Sequence, residues 1–219
     1  MFTKLPRWVE YGAFTLSLIA GLINAVGLLG FEHKAISHLS GSVTLLGVSL
    51  PSNIPMALNL MMIIISFIIG SSISGLLISG ESLKLGRYYD VLLFIESGLL
   101  LVSALLLNQY MTVGLCFASM ACGLQNAFAT TYSGAVIRTT HLTGIFTDLG
   151  IMFGRVIKGE PLDKRKCVMY IVIILGFLSG GILGNVLFAF YGVFTLLFPG
   201  LACFILGCLY RIYRQLSKN

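Results

Sequence analysis

Two stretches of the chain, about a hundred residues apart, carry nearly the same motif. Residues 37–47 read S-H-L-S-G-S-V-T-L-L-G, and residues 140–150 read T-H-L-T-G-I-F-T-D-L-G. Upstream of them, G-L-I-N-A at 21–25 corresponds to G-L-Q-N-A at 123–127. Polar residues kept at matched places predict an internal duplication, in which one structural unit is built twice.

The chain carries too little charge to cover a water-facing surface. Only 10% of its 219 residues are charged, 57% are hydrophobic, and the mean hydropathy is +0.96. Soluble globular domains carry about 25% charged residues. We therefore expect an all-α integral membrane protein, with the lipid bilayer as its surroundings.

The basic residues lie between the apolar runs. The formal net charge is +6, but most lysines and arginines occupy short segments that separate apolar stretches. This is typical of cytoplasmic loops that face anionic lipid, and no separate basic domain is present for nucleic acid. The five cysteines form no C-x-x-C pair, so we expect them to be buried thiols rather than disulfides.

Six apolar stretches are long enough to cross a bilayer, which takes about twenty helical residues. Two shorter pieces, 38–50 and 141–154, each begin at a copy of the motif and are too short or too polar for ordinary spans. The predicted spans cover residues 11–30, 54–79, 88–107, 110–130, 167–190 and 192–210.

The lysines and arginines decide between two topologies for the short pieces. If both pieces are re-entrant and the N-terminus is cytoplasmic, 13 of the 14 basic residues lie inside and only Lys34 lies outside. If both pieces span the membrane, the count becomes 10 inside and 4 outside. The positive-inside rule favours the re-entrant topology, with both termini in the cytoplasm.

This topology predicts an inverted repeat. Three spans per repeat is an odd number, so the second repeat is upside down relative to the first. We expect a single transmembrane domain with six transmembrane helices and two short re-entrant half-helices, divided into repeat 1 (residues 1–107) and repeat 2 (residues 108–219). Inverted repeats with broken helices are typical of transporters and channels.

The span after each short piece carries small residues at every fourth position. Such stripes allow two helices to pack closely in lipid, and packing is the role we expect for them. The two sets are Ser66, Gly70 and Ser74 in the first repeat and Gly176, Gly180 and Gly184 in the second.

Each copy of the motif places a histidine at the entrance of its short helix. His38 and His141 each follow a hydroxyl residue (Ser37 and Thr140), which we expect to cap the helix, and each precedes a glycine by three residues. In one interpretation, two imidazoles flank a central pathway and donate hydrogen bonds or relay protons. In the other, each histidine ties its loop to a neighbouring carbonyl group.

Other polar residues also fall at matched places within the apolar runs. Asn24 and Asn126 occupy corresponding positions in the first span of each repeat. A buried amide there either cross-links helices or contacts a solute. Thr44 and Thr147 are weaker candidates of the same kind.

Two acids lie deep in the predicted membrane region. Asp148 corresponds to Leu45 of the first motif. Because a carboxylate is costly to place in lipid, Asp148 should face protein or water. It is expected to accept a proton, hold a cation, or pair with Arg138 or Arg155. Glu96 lies in the middle of the third span. Because only the second repeat carries Arg138 and Asp148, we expect the chemistry to lie there.

Enzyme signatures are missing from the sequence. His38, His141 and Asp148 have the composition of a metal site, but no ligand spacing such as H-E-x-x-H is present. Nucleophile and nucleotide-binding motifs are also missing. We therefore expect no enzymatic activity, no cofactor and no metal.

The segments 21–27, 37–41, 123–127 and 138–150 together resemble the YoaK family of bacterial integral membrane proteins, whose defining domain has no known function. The resemblance covers essentially the whole chain, although the family generally has methionine where this chain has leucine after each motif histidine. It implies a six-span protein of the bacterial inner membrane and supplies no substrate or reaction.

We expect a small-solute transporter or channel whose pathway lies between the two repeats. The solute stays open between an anion and a proton-coupled species; helix N-termini that reach the midplane would favour an anion. The alternative function is a non-transporting assembly or signalling factor that acts through the basic loop 155–166. A homo-oligomer is compatible with either function.

Overall fold

The computed structural model describes residues 8–30, 36–78, 88–133 and 139–216. Within these ranges the chain is 87% helical and forms no strand. Several basic residues that entered the topology count, Arg138 among them, lie outside the described residues. The helices are α1 (Trp8–Gly30), α2 (Leu39–Ser49), α3 (Ile54–Leu77), α4 (Tyr89–Asn108), α5 (Gly114–Tyr132), α6 (Leu142–Ile157), α7 (Lys164–Tyr191) and α8 (Leu197–Leu216).

Among the described residues, four helical stretches are long and apolar enough to cross a membrane: Val9–Gly30, Ile54–Leu77, Tyr89–Asn108 and Lys164–Leu216. The fourth contains both α7 and α8. The predicted span at 110–130 is helical as α5 but is not among the four, because its amide and hydroxyl side chains lower its mean hydropathy. The prediction of an all-α protein with membrane-spanning helices is confirmed.

Local sequence explains where several helices begin and end. The side chain of Asn53 accepts a hydrogen bond from Met56 N (3.1 Å) at the start of α3, and that of Asp163 accepts one from Lys166 N (3.1 Å) at the start of α7. Gly192 ends α7 with φ = 55°, a value that favours glycine. A short 3₁₀ segment, Gly192–Leu196, then leads into α8.

Helix α1 packs closely against α7 through glycines on both helices. A Cβ atom on Gly21 would collide with the backbone of Phe177, and one on Gly180 would collide with the backbone of Leu18. Further along, Gly184 lies against Ala25. The ladder of small residues in α7 is therefore the surface on which α1 packs, as predicted.

The pair α3 and α5 repeats this arrangement. A Cβ atom on Gly123 would collide with the backbone of Phe67, and one on Gly70 would collide with the backbone of Met120. Gly123 occupies the place in its repeat that Gly21 occupies in the other. The first long helix of each predicted repeat, α1 or α5, thus packs against the second long helix of the other, α7 or α3.

Helix α4 lies antiparallel to α8. Asp90, at the start of α4, binds Arg211 (2.9 Å) and Arg214 (3.2 Å) at the end of α8. At the opposite end, Gly200 near the start of α8 lies next to Leu100. These two helices are the last of their repeats, and α4 also packs against α5.

The two short helices begin immediately after the motif histidines. Helix α2 packs on α3 in a hairpin, whereas α6 has few contacts, mainly with α7. The prediction that Ser37 and Thr140 cap these helices is wrong. Each helix begins one residue later than predicted, so His38 and His141 occupy the N-cap positions in place of the hydroxyl residues. Neither histidine side chain caps its helix.

Candidate functional site

The two copies of the motif line one cavity of about 630 Å³. Its walls come from the start of α2, the start of α6, and the C-terminal halves of α3 and α5. The two histidines, separated by about a hundred residues in the sequence, therefore contribute to one site. The polar lining residues are Ser37, His38, Ser40, Ser71, Asn126, Thr130, Thr131, Thr140, His141 and Thr143.

The described wall of the cavity is polar, and its two histidines are its titratable side chains. The other lining residues are Leu39, Phe67, Gly75 and Ala127, so no aspartate, glutamate, lysine or arginine belongs to the described wall. That part of the wall therefore offers a bound ion no carboxylate, ammonium or guanidinium group. Hydrogen bonds and helix dipoles must supply any recognition.

The two histidines adopt different conformations in otherwise similar motifs. His38 is half-buried, and its ring meets Phe177 of α7 edge-on, with the centroids 6.5 Å apart. His141 is exposed, and its ring folds back over the first turn of α6 so that a Cβ on Gly144 would collide with it. The matching Gly41 has open space around it.

Asn24 is a structural anchor in this conformation. It is buried on α1, and its Oδ1 accepts hydrogen bonds from the backbone N (3.3 Å) and the hydroxyl group (3.2 Å) of Ser37. These two bonds tie the first motif to α1. Of the two interpretations of this residue, the geometry matches the structural one.

Asn126, at the matching place in α5, is used differently. It lines the cavity, and its Oδ1 is buried without a hydrogen-bond partner among the described residues. An unpaired buried oxygen is costly unless water or a ligand satisfies it. Asn126 therefore lines the cavity through its other atoms, because Oδ1 itself has almost no accessible surface.

Three further lining residues, Ser71, Thr130 and Thr131, escaped the sequence analysis. Thr130 and Thr131 follow Asn126 and Ala127 by one helical turn, and each hydroxyl group donates to the carbonyl oxygen one turn back. Ser71 lies on α3 and donates to the backbone of Gly123. The i, i+4 spacing of Asn126 and Thr130 was the available signal, since such residues share a helix face.

Thr44 and Thr147 lie outside the cavity lining. Each hydroxyl group donates to the backbone oxygen one turn earlier, Thr44 to Ser40 (2.9 Å) and Thr147 to Thr143 (2.9 Å), and both residues are exposed. Their polar groups are thus satisfied within their own helices. The structure does not bring them together with the histidines.

Asp148 joins α6 to α7. The hydroxyl group of Tyr170 donates to its carboxylate, and Lys166 Nζ lies 3.4 Å from it. Arg155, one of its two expected partners, instead lies 4.0 Å from Glu160; the other, Arg138, lies outside the described residues. Asp148 is not part of the cavity lining.

Glu96 is fully buried on α4, away from the cavity. The thiol of Cys203 on α8 lies beside its carboxyl group. Neither carboxyl oxygen has a well-formed hydrogen bond to the described part of the chain. Across that part, no three histidine, cysteine or acidic side chains lie close enough together to hold a metal ion.

The family model described as "Protein of unknown function (DUF1275)" matches residues 12–209. This match covers both motifs and every long helix. The chain belongs to the DUF1275 family. Comparison with curated proteins and with solved structures finds no significant match. The family therefore supplies no reaction or substrate, and function must be argued from the site.

Proposed function

We propose that this DUF1275 protein is a transporter or channel for a small solute and not an enzyme, and that the solute passes through the cavity shared by the two motifs. The observation that supports this most is that His38 and His141, from opposite halves of the chain, line one polar cavity whose described wall has no aspartate, glutamate, lysine or arginine. A site built from both halves can open or close when the halves move relative to each other.

We further propose six spans with two re-entrant half-helices, arranged as an inverted 3+3 repeat. The antiparallel pair α4 and α8 supports this, because these helices hold the same place in the two repeats and point in opposite directions. The reciprocal packing of α1 on α7 and of α5 on α3 is the pattern expected of a pseudo-two-fold axis between repeats.

The proposed location is the bacterial inner membrane, with both termini in the cytoplasm. The charge count of the loops and the resemblance to the YoaK family support this location. The cavity lies at the C-terminal ends of α3 and α5, which precede Lys84, Arg87 and Arg138 in the sequence. In this topology the cavity lies toward the cytoplasmic side.

Among the described residues, the cavity borders only one of the two closely packed pairs of long helices, α3 with α5. Its wall includes residues of α3 and α5 but none of the described residues of α1 and α7. On the α1 side, Asn24 holds the place that corresponds to Asn126. Its side-chain oxygen accepts a hydrogen bond from Ser37, whereas that of Asn126 has no partner among the described residues. We propose that this is one of two states, in which the pathway is open beside α5 and closed beside α1.

Flux through proteoliposomes tests the proposal. The protein with both His38→Ala and His141→Ala should pass the transported solute about tenfold more slowly, because two hydrogen-bonding groups leave the pathway. A panel of small neutral, anionic and cationic radiolabelled solutes identifies which one moves. The matched control is Thr44→Ala with Thr147→Ala, two motif residues outside the cavity, and it should keep wild-type flux.

No flux for any solute in the panel would overturn the proposal, as would equal flux in the histidine and threonine variants.

The alternative function, an assembly or signalling factor, depends on the exposed basic loop 155–166. Replacing that loop with a neutral linker should then abolish the cellular phenotype while the histidine variants keep it. The proposed transporter predicts the reverse pattern.

A further inference from the structure

We infer that Asn185 of α7 lines a second, water-filled part of the solute pathway, beside α1 and α7, as the counterpart of the cavity beside α3 and α5. This inference rests on the proposed function and adds a residue and a region to it. It follows from the reciprocal packing of the long helices, from the position of His38 and from an exposed amide in an apolar helix.

The contacts between helices establish which residues of α3 and α7 are equivalent. The carbonyl groups of Phe67 on α3 and of Phe177 on α7 each lie against a glycine of the helix packed on it, α5 or α1. Gly70 on α3 and Gly180 on α7 each lie against the backbone of that same helix. Both comparisons relate α3 to α7 by a shift of 110 residues, from 67 to 177 and from 70 to 180.

The face of α3 that lines the cavity has an equivalent on α7. Phe67, Ser71 and Gly75 line the cavity from α3, one helical turn apart. The equivalent residues on α7 are Phe177, Gly181 and Asn185. Exposure follows the equivalence, because Ser71 and Gly181 are both half-buried whereas Gly75 and Asn185 are both exposed. A Cβ atom on Gly181 would meet no described atom within 4 Å, so no neighbouring helix of the described chain covers this face there.

His38 connects the cavity to this face of α7. It lines the cavity, and its ring meets that of Phe177 edge-on, with the centroids 6.5 Å apart. Phe177 begins the row of equivalent residues that ends at Asn185, toward the C-terminal end of α7. In the proposed topology that end of α7 faces the outside, whereas the cavity lies toward the cytoplasm. The two parts together then cross the membrane, with His38 between them.

Asn185 is a polar residue in apolar surroundings. It is exposed in the second half of α7, and its amide makes no hydrogen bond within the described part of the chain. An amide that faces lipid is costly, because nothing in hydrocarbon replaces its hydrogen bonds to water. On the facing helix α1, Leu28 and Leu29 hold the places that Thr130 and Thr131 hold on α5. Asn185 therefore supplies a polar group on this side, with both a donor and an acceptor for a small polar solute.

The reactivity of single cysteines in proteoliposomes tests the inference. Methanethiosulfonate reagents dissolved in water react with thiolates, which form in water and not in lipid, so we expect Asn185→Cys to react about tenfold faster than Val186→Cys, or more. Val186 is the matched control, because it is the next residue along α7, is also exposed, and lies about 100° further round the helix. The reagent is present on both sides of the bilayer, and the unchanged chain gives the background from the native cysteines.

Flux gives the second arm of the test. Asn185→Leu keeps the approximate size of the side chain and removes its donor and acceptor, so it should lower the flux of the transported solute about tenfold. Val186→Leu, on the neighbouring face, should keep wild-type flux. Gel filtration of both variants in detergent checks that they are folded, and the cysteine variant decides the test if Asn185→Leu is not.

Three results would overturn the inference. The first is equal labelling of Asn185→Cys and Val186→Cys, and the second is unchanged flux in Asn185→Leu. The third is a covalent dimer of Asn185→Cys that forms on oxidation without labelling by the reagent, because Asn185 then lies in a contact between two copies of the chain.

The proposed function fails separately. If the wild-type protein carries no solute of the panel, the transporter is wrong, whereas fast labelling of Asn185→Cys still establishes a water-filled region beside α7. Flux of a solute through the wild-type protein with slow labelling of Asn185→Cys rejects that region and leaves the transporter standing.

Discussion

Residues that match in sequence do not have the same role in this protein. Asn24 and Asn126 hold corresponding positions. The side-chain oxygen of Asn24 accepts two hydrogen bonds from Ser37, whereas that of Asn126 is buried and has no partner among the described residues. His38 and His141 likewise differ, with one ring against Phe177 and the other over Gly144. Matching positions of the two motifs carry similar side chains, and the local contacts of each side chain decide its role.

Removing each amide should separate these two roles. Asn24→Ala leaves the buried N–H and hydroxyl groups of Ser37 without their acceptor, which costs about 1–3 kcal/mol of stability. Asn126→Ala breaks no hydrogen bond of the Oδ1 atom, so its melting temperature in detergent should stay near that of the wild type while its flux falls. Equal melting temperatures for the two variants would contradict the assignment.

At the scale of elements, close backbone contact between long helices holds the protein together. Helix α1 lies on α7 and α5 lies on α3 so tightly that a single methyl group has no room at Gly21, Gly70, Gly123 or Gly180. Gly180 and Gly181 are neighbours in α7, but a Cβ on Gly181 would meet nothing within 4 Å. Two adjacent glycines of one helix therefore face very different surroundings.

These neighbouring glycines give a matched test of helix packing. Gly180→Ala forces α7 away from α1 and should cost about 1–3 kcal/mol, as overpacking usually does. Gly181→Ala should leave the melting temperature unchanged or slightly raise it, because alanine favours the helix. The order of the two melting temperatures in detergent is the measurement. A reversed order would mean that α1 and α7 do not pack as described.

At the scale of the whole molecule, the most extensive helix packing joins the two predicted repeats. The helices that pack most closely, α1 with α7 and α3 with α5, belong to different repeats. The last helices, α4 and α8, are joined by the buried Asp90 with Arg211 and Arg214. We therefore expect the two predicted repeats to fold together.

The cluster around Asp90 should be one of the stronger links between the repeats. Asp90→Ala leaves two arginines without their buried carboxylate, and breaking a buried pair costs about 3–5 kcal/mol. The partial exposure of both arginines to solvent reduces this to about 2 kcal/mol. The control is Glu160→Ala, which removes the exposed pair with Arg155 and should cost under about 1 kcal/mol. Chemical denaturation of both variants checks the difference.

The bounds of the helices were predictable to within a few residues, because they depend on the lengths of apolar runs and on breaks such as Pro51 and Gly192. The exceptions are ends that local geometry decides. Helix α7 begins at Lys164 because the Asp163 side chain caps it, although its first residues are charged. The segment Gly192–Leu196 is a 3₁₀ helix rather than the start of α8.

The site was predictable in part. The sequence indicated both histidines and Asn126, which the cavity brings together. It also indicated Asp148 and Thr147, but these residues do not line the cavity: Asp148 accepts a hydrogen bond from Tyr170, and Thr147 donates one to the backbone of its own helix. It missed Ser71 and Thr131, which do line the cavity. Which side of a short helix faces a cavity depends on the helices that pack against it, and these are α3 for α2 and mainly α7 for α6.

By itself the sequence determined that the chain is helical, has stretches apolar enough to cross a membrane and carries two copies of one motif, because hydropathy and repeated motifs are read along one dimension. Only the tertiary structure decided that the two motifs share a single cavity, and that one asparagine is bonded while its counterpart is unpaired. The shared cavity depends on distances between helices about a hundred residues apart, and such distances follow from how closely the backbones can pack.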